Sequence, residues 1–222
     1  MPRRPGLLSR IPKHAWIGLA VLVGSMLLVY YATRLALPHL TAHVLTGPLD
    51  ARIPFSPPWV TVYVLSFPFW LVSALWALSA DRAFAWRFCA SFALAMAVSC
   101  AVFLLWPGTM ARPEVTQRGF FADCVRFIYL VDSPTNLCPS LHVLNSYFCF
   151  RGALESKAVP RPYAAFSLVF FLLVCCSVLL VKQHALIDVP VAVVIAEACL
   201  QCGRLLRAER VGFAMEHHFR KE

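Results

Sequence analysis

The chain has few charged residues and lacks the features of a soluble or modular protein. Only 14% of its 222 residues are charged, whereas 60% are hydrophobic, and the mean hydropathy is +0.70. A soluble domain is roughly 45–50% apolar and about 25% charged, so the composition excludes both disorder and an ordinary water-soluble globule. The sequence contains no internal repeat and no low-complexity segment. The lipid bilayer is therefore the expected solvent, and the length suits one domain.

The sequence also lacks a metal-ligand cluster and a disulfide framework. Seven of the nine cysteines lie in or at the ends of apolar runs, where a free thiol behaves as a small hydrophobe. Cys199 and Cys202 form a CxxC in such a run, with no histidine or second cysteine pair nearby, so a metal is not expected there. We predict neither a metal nor another cofactor. Cys124 and Cys138 lie in a polar connection, where a disulfide between them stays an open alternative.

Six apolar runs predict an all-α, polytopic membrane protein, because a span needs ~20 residues. The runs cover about residues 15–37, 59–80, 84–106, 139–154, 163–181 and 185–202. The first run is too long for the core of a signal peptide and precedes no small-residue cleavage site, so we expect it to remain as an anchor. The chain then divides into an N-terminal arm (1–14), a six-helix membrane domain (15–202) and a tail (203–222).

The basic residues predict the orientation of these spans. With both termini on one side, fourteen Lys and Arg residues fall on that side and six on the other. The positive-inside rule then makes both termini cytoplasmic. It places the connections at 38–58, 107–138 and 182–184 outside, which suits a bacterial inner membrane with an outward site. The net charge of +9 reflects this topology, and we predict no nucleic-acid partner. The oligomeric state stays open.

The connection at 107–138 is long enough to suggest a function of its own. Apolar residues recur there at helical spacing from Phe120 to Val131, with Arg118, Asp123 and Arg126 among them. One interpretation is an interfacial helix that lies on the outer leaflet. The alternative is a helix whose apolar stripe packs on the bundle.

Polar residues near membrane depth are costly and usually functional, and here they form three clusters on the predicted outer side. They are Arg112-Pro113 after the third span, Pro139-Ser140-Leu141-His142 at the fourth, and the segment from Lys182 to Asp188 at the sixth. His184 and Asp188 are spaced i, i+4, which brings them into hydrogen-bond reach on a helix. A carboxylate beside an imidazole fixes its tautomer and makes it a better nucleophile.

The second cluster complements this pair. Pro139 and Ser140 favour a helix start, and the N–H groups of a helix N-terminus attract anions. Arg112 adds a guanidinium that binds phosphate in a bidentate manner. Two histidines, a carboxylate, a guanidinium and a helix start at one depth describe a phosphoryl-transfer site. The fourth span is short, so His142 is expected within the outer leaflet, where a lipid headgroup can reach it while the tails stay in the bilayer.

These residues resemble the type 2 phosphatidic acid phosphatase (PAP2) superfamily, in its bacterial lipid-phosphatase branch. The family pattern is Lys-x6-Arg-Pro, Pro-Ser-Gly-His and Ser-Arg-x5-His-x3-Asp. The chain has Arg112-Pro113, then Pro139-Ser140-Leu141-His142, then Ser177 with His184 and Asp188. The resemblance covers about residues 56–202. It implies a six-helix bundle in which a lipid phosphate is hydrolysed without a metal.

The resemblance also implies a role for each matching residue. His184 would become phosphohistidine, Asp188 would orient it, and His142 would serve as acid and then as base. Arg112 and Ser140 would hold the phosphoryl oxygens. Two family cations are missing, because their positions carry Leu105 and Val178. Lys182 is one candidate substitute, and Arg118 or Arg126 is another.

Three functions remain open from the sequence. The leading one is a lipid phosphatase acting on phosphatidic acid, phosphatidylglycerol phosphate or a polyprenyl diphosphate. The second is a lipid phosphotransferase like the sphingomyelin and inositol phosphorylceramide synthases, which would use the same His–His–Asp triad. The third is a catalytically dead scaffold or a proton-coupled transporter, which Glu197 in the sixth span would favour. We expect Glu197 instead to pair with a polar neighbour inside the bundle or to snorkel toward the cytoplasm.

Overall fold

The computed structural model describes residues 11–36, 39–210 and 212–213. Its helices are α1 (Lys13–Ala36), α2 (Pro48–Arg52), α3 (Val60–Leu78), α4 (Arg82–Leu105), α5 (Phe120–Val131), α6 (Leu141–Glu155), α7 (Arg161–Leu180) and α8 (Asp188–Leu205). A 3-10 turn at Pro57–Trp59 precedes α3. The N-terminal arm up to residue 10 and the tail from residue 214 lie outside the described residues.

The prediction of an all-α membrane protein is confirmed at a coarse level. Among the described residues, four helical segments are long and apolar enough to cross a membrane, namely Lys13–Ala36, Pro57–Leu78, Arg82–Leu105 and Arg161–Leu180. Of the other two predicted spans, α6 has only 15 residues. The last, α8, contains three charged residues, Asp188, Glu197 and Arg204. Length and composition therefore identify four spans, and the predicted count of six is not confirmed.

The long helices form one bundle around α6. Helix α6 packs against α3, α7 and α8, while α4 lies between α1 and α8. Phe148 on α6 meets Phe92 edge-to-face, with ring centroids 5.1 Å apart. Gly152 allows close approach, because a Cβ there would lie 3.0 Å from the ring of Phe88. Aromatic packing and one small residue thus hold α6 in the centre of the bundle.

The starts of α4 and α6 have clear causes in the sequence, whereas the start of α8 differs from the prediction. Asp81 caps α4 by accepting from the N–H of Phe84 at 2.9 Å. Ser140 caps α6, as its position in the sequence predicted. The last helix begins at Asp188 rather than at 185, because residues 181–187 form turns instead of a helix. His184 therefore lies on a turn before α8, and the expectation that it shares a helix face with Asp188 is wrong.

A cluster of ion pairs joins α6 to α8 at the end of the bundle opposite the turn at 181–187. Arg151 pairs with Glu197 and with Glu155 at 2.8 Å. Tyr147 donates its hydroxyl to Glu197 at 2.9 Å. The expectation that Glu197 has a polar partner inside the bundle is confirmed. Its carboxylate joins α8 to α6.

The connection after α1 and the connection after α4 are tied to one another. Strand β1 (His43–Val44) pairs in parallel with β2 (Gly108–Thr109). Helix α5 buries Ala122 and Val125 but leaves Phe120 and Leu130 74% and 81% exposed. This exposed apolar face favours the interfacial alternative for α5 over packing on the bundle, because bundle packing would cover it.

Candidate active site

The three polar clusters meet in one cavity at the end of the bundle where α6 and α8 begin. The cavity has a volume of about 60 Å³ that water-sized molecules can occupy. That is several times the ~10–15 Å³ that one water needs. It is lined by Tyr30, Arg112, Asp132, Thr135, Asn136, Leu141, His142, Gln183 and His184. Three of the six residues singled out from the sequence, Arg112, His142 and His184, therefore line one space.

His184 and Asp188 form the predicted pair. The Nδ1 atom of His184 lies 3.2 Å from Oδ2 of Asp188 and 3.0 Å from the carbonyl oxygen of Leu137. Both partners are acceptors, so Nδ1 carries the proton and Nε2 keeps its lone pair. Asp188 is fully buried, and its Oδ2 also accepts from the N–H of Ala185 at 2.8 Å. The turn thereby fixes the imidazole in the tautomer that a nucleophile requires.

His142 faces this pair from the first turn of α6. Its ring stacks on Tyr63, with centroids 4.1 Å apart, and is flanked by Phe67 and Trp70 at 5.5 and 5.1 Å. The centroids of His142 and His184 are 6.3 Å apart. Both imidazoles therefore lie on the wall of the same cavity. Aromatic packing on three sides leaves the imidazole of His142 little freedom to turn.

Arg112 lies on the extended segment after α4, and its guanidinium is held on several sides. One Nη atom donates to the backbone carbonyl of Asp132, and the other donates to Oε1 of Gln183 at 2.5 Å. The group lies over the ring of Tyr129, 4.7 Å from its centroid. Burial lowers the pKa of Arg112, and the neighbouring Asp132 acts in the opposite direction. The guanidinium is thus a fixed positive group at the cavity wall.

Ser140 and Lys182 do not line the cavity. The Ser140 hydroxyl accepts from the N–H of Val143 at 3.4 Å, and its backbone N–H donates to the carbonyl of Asp188 at 3.3 Å. The Lys182 ammonium donates to the carbonyls of Asp50 and Ile53, at 2.9 and 2.6 Å. In this arrangement Ser140 positions the start of α6. Lys182 ties the His184 turn to α2.

None of the three cations proposed as substitutes, Lys182, Arg118 and Arg126, lines the cavity. Leu105 is 82% exposed at the end of α4, and Val178 is fully buried. Arg126 is engaged with Asp123 and with the carbonyls of Val115 and Gln117. Arg118 does not line the cavity either. Within the described ranges, Arg112 is the one cationic side chain on the cavity wall.

Several buried polar atoms of the cavity wall have no hydrogen-bond partner among the described residues. They are Nε of Arg112, Nε2 of Gln183, Nε2 of His142 and Oδ1 of Asn136. A buried polar atom without a partner costs about 1–3 kcal/mol, so such a cluster indicates a space built for a polar ligand. Sequence reasoning gave no role to Gln183, Asn136 or Asp132. For Gln183, its position next to His184 was an available signal.

An apolar groove opens beside the cavity. It has a volume of about 720 Å³ between α1, α3 and α5 and shares four lining residues with the cavity, Tyr30, Asp132, Leu141 and His142. A smaller inner pocket of about 150 Å³ continues it between α1, α3, α4 and α6. The groove and the inner pocket share Met26, Phe67, Trp70 and Asn145. A polar cavity that continues into an apolar groove is complementary to an amphiphilic molecule with a polar head and an apolar tail.

In the described part of the chain, no three His, Cys, Asp or Glu side chains are grouped as metal ligands. Cys124 and Cys138 are both free thiols, so the structure does not contain the disulfide left open above. Burial raises the pKa of the Cys138 thiol to about 12, with a smaller effect of Asp188. This thiol is therefore unreactive at neutral pH.

Comparisons with protein-family models, with curated proteins and with solved structures found no match for this chain.

Proposed function

We propose that this chain is an integral-membrane lipid phosphatase that uses a phosphohistidine intermediate. The observation that carries the proposal is the set of unpartnered polar atoms around His142, His184 and Arg112 in a cavity that opens into an apolar groove. Donors from Arg112 and Gln183 suit phosphoryl oxygens. The groove suits the hydrocarbon part of the same molecule. Residues 56–202 would then act as a PAP2-like domain.

In the first step, the lone pair of His184 Nε2 attacks phosphorus. A P–N bond forms as the P–O bond to the lipid breaks, and the electron pair leaves with the lipid oxygen. His142 donates a proton to that oxygen, while Asp188 stabilises the charge that develops on His184. In the second step, water gives a proton to His142 and attacks phosphorus. The P–N bond then breaks, its electron pair returns to Nε2 of His184, and phosphate leaves.

The proposal includes six spans with both termini in the cytoplasm and the cavity facing outward, in a bacterial inner membrane. Helices α6 and α8 contribute His142 and Asp188 near their N-terminal ends, and both helices pack among the four apolar spans. Their polar residues would then face the bundle and the cavity rather than lipid, as membrane proteins require. Labelling of single introduced cysteines from each side of intact vesicles tests this orientation.

The decisive experiment is phosphate release from a panel of lipid phosphates by protein in mixed micelles. We expect the wild type to release phosphate and His184→Ala to lose at least 10³-fold of the rate, because the nucleophile is removed. His14→Ala is the matched control. His14 contacts the carbonyl of Ala80 at 3.0 Å, far from the cavity, and its replacement should leave the rate unchanged. An active His184→Ala protein would overturn the proposal.

A second candidate is the lipid phosphotransferase, and the charge of the cavity favours it. Asp132 lines the cavity, and its carboxylate accepts from the hydroxyl of Tyr30 at 3.1 Å. Arg112, whose guanidinium donates to the backbone carbonyl of Asp132, is the neighbouring cation. A phosphomonoester carries close to two negative charges at neutral pH, whereas a phosphodiester carries one. One guanidinium beside a carboxylate balances the diester better. The same assay, with a phosphodiester lipid and a lipid alcohol added to the micelles, would then yield a new phospholipid instead of phosphate. Formation of that phospholipid should depend on His184.

A further inference from the structure

A buried amide lies in the membrane-embedded part of the bundle without a role in the proposed chemistry. Asn145 is 4% exposed, and its Oδ1 has no hydrogen-bond partner among the described residues. Its Nδ2 donates only to the thioether of Met26, at 3.2 Å, and a thioether is a weak acceptor. An amide at membrane depth is costly unless something satisfies it. The amide therefore indicates a polar group that the protein itself does not provide.

The position of Asn145 shows what that group belongs to. Asn145 lines both the apolar groove and the inner pocket, at the junction between them. It follows His142 by three residues on α6, so the two side chains share one helix face and lie about 4.5 Å apart along the axis. The amide is thus one step deeper than the phosphoryl cavity, on the path that a hydrocarbon tail would take.

The length of that path suits one long chain. The lining of the combined groove and inner pocket runs along α3 from Tyr63 to Ala77. Fourteen helical residues rise about 21 Å. An extended chain advances about 1.3 Å per bond, which corresponds to about 16 carbons. A hydroxyl on the second carbon from the phosphate oxygen lies about 5 Å from phosphorus by the same arithmetic, which places it at the depth of Asn145.

We propose that Asn145 recognises a hydrogen-bond donor on the lipid backbone, next to the phosphate. The inference rests on the proposed function and names its substrate class. That class is a long-chain lipid phosphate with a hydroxyl or an amide N–H adjacent to the phosphate-bearing carbon. A polyprenyl phosphate has no such donor and would leave Oδ1 of Asn145 unpartnered. Asn145 is a specificity residue and takes no part in the chemical step.

The test uses substrates that differ only in the donor. One is the hexadecyl ether of glycerol phosphate with a free hydroxyl, and its partner lacks that hydroxyl. A third carries an acylamido group in its place, which separates a hydroxyl donor from an amide donor. We expect the wild type to prefer at least one donor-bearing lipid by about tenfold or more in kcat/KM, because the alternative is a buried acceptor without a donor.

Asn145→Leu removes the amide at similar volume, and it should reduce this preference to about onefold. Asn145→Ser, which keeps a polar group, should retain part of the preference. Equal kcat/KM values of the wild type for all three lipids would overturn the inference even if no variant folds. So would an unchanged preference in Asn145→Leu. Loss of phosphate release from every lipid would instead refute the proposed function.

Discussion

Hydrogen bonds between α2 and the turn that carries His184 form a clasp, made by Asp50 with Leu186 and by Lys182 with the carbonyls of Asp50 and Ile53. This clasp is expected to position the His184 imidazole. Oδ1 of Asp50 accepts from the N–H of Leu186 at 2.7 Å, and Oδ2 accepts from the N–H of Gly47 at 2.9 Å. Lys182 binds the carbonyls of the same segment. Asp50→Asn keeps the shape of the side chain but replaces one carboxylate oxygen with an NH₂ group. That donor would then face the backbone N–H of Leu186 or of Gly47. Such a change costs about 1–3 kcal/mol, which corresponds to about 5–150-fold in an equilibrium constant.

Because Leu186 lies two residues after His184, we expect Asp50→Asn to lower kcat by ten- to a hundredfold with little change in KM. Misplacement of a reacting group by about 1 Å has an effect of that size. Phosphate release against substrate concentration measures both constants. The control is Asp81→Asn, since Asp81 also accepts from a backbone N–H but lies at the other end of α4. It should lower the melting temperature without changing kcat. If Asp50→Asn kept kcat within twofold, the positioning role would be refuted.

Four further outcomes follow from the site and the bundle. Arg112→Met should lower kcat/KM for lipid phosphate by about 10²–10³-fold, because the fixed donor to the phosphoryl oxygens is lost; the phosphate-release assay measures it, and a change below threefold would contradict the role. Activity should rise with tail length up to about 16 carbons and then level off, as the groove length implies; an alkyl series tests this. The Cys138 thiol, whose burial raises its pKa to about 12, should resist iodoacetamide at pH 8 by mass spectrometry, and rapid labelling would show that it is accessible. Glu197→Gln should lower stability by about 1–3 kcal/mol, because Arg151 is left partly uncompensated; thermal unfolding in detergent measures it, and an unchanged midpoint would contradict the role of the ion pair.

Much of the fold could be predicted because apolar runs and capping residues act locally. The six predicted runs agree with the six long helices to within about four residues at each end. Ser140 caps α6 because a hydroxyl in that position can satisfy a free N–H group. The start of α8 could not be predicted in this way. Asn136 and Lys182 adopt positive φ angles of 55° and 53°, which marks turns that no run of apolar residues reveals.

The candidate site was predictable only where chemistry and spacing coincide. His142, His184 and Asp188 could be identified because each is a costly residue beside an apolar run. Lys182 was assigned to the phosphate from its charge, yet its ammonium binds backbone carbonyls near α2. Asn145 gave no signal, because an isolated amide in a helix has no recognisable spacing. Its significance comes from residues on α1 and α3 that surround it in space.

The clasp between Asp50 and Leu186 also has a consequence for biosynthesis. The two residues are 136 positions apart in the chain, so the contact forms only after the segment that contains Leu186 has left the ribosome. Until then Oδ1 of Asp50 lacks the N–H of Leu186, and the turn that carries His184 has not yet been made. A nascent chain therefore carries no assembled site while its earlier helices are being inserted. The proposed reaction at His184 would therefore begin only after α2 and the His184 turn have come together.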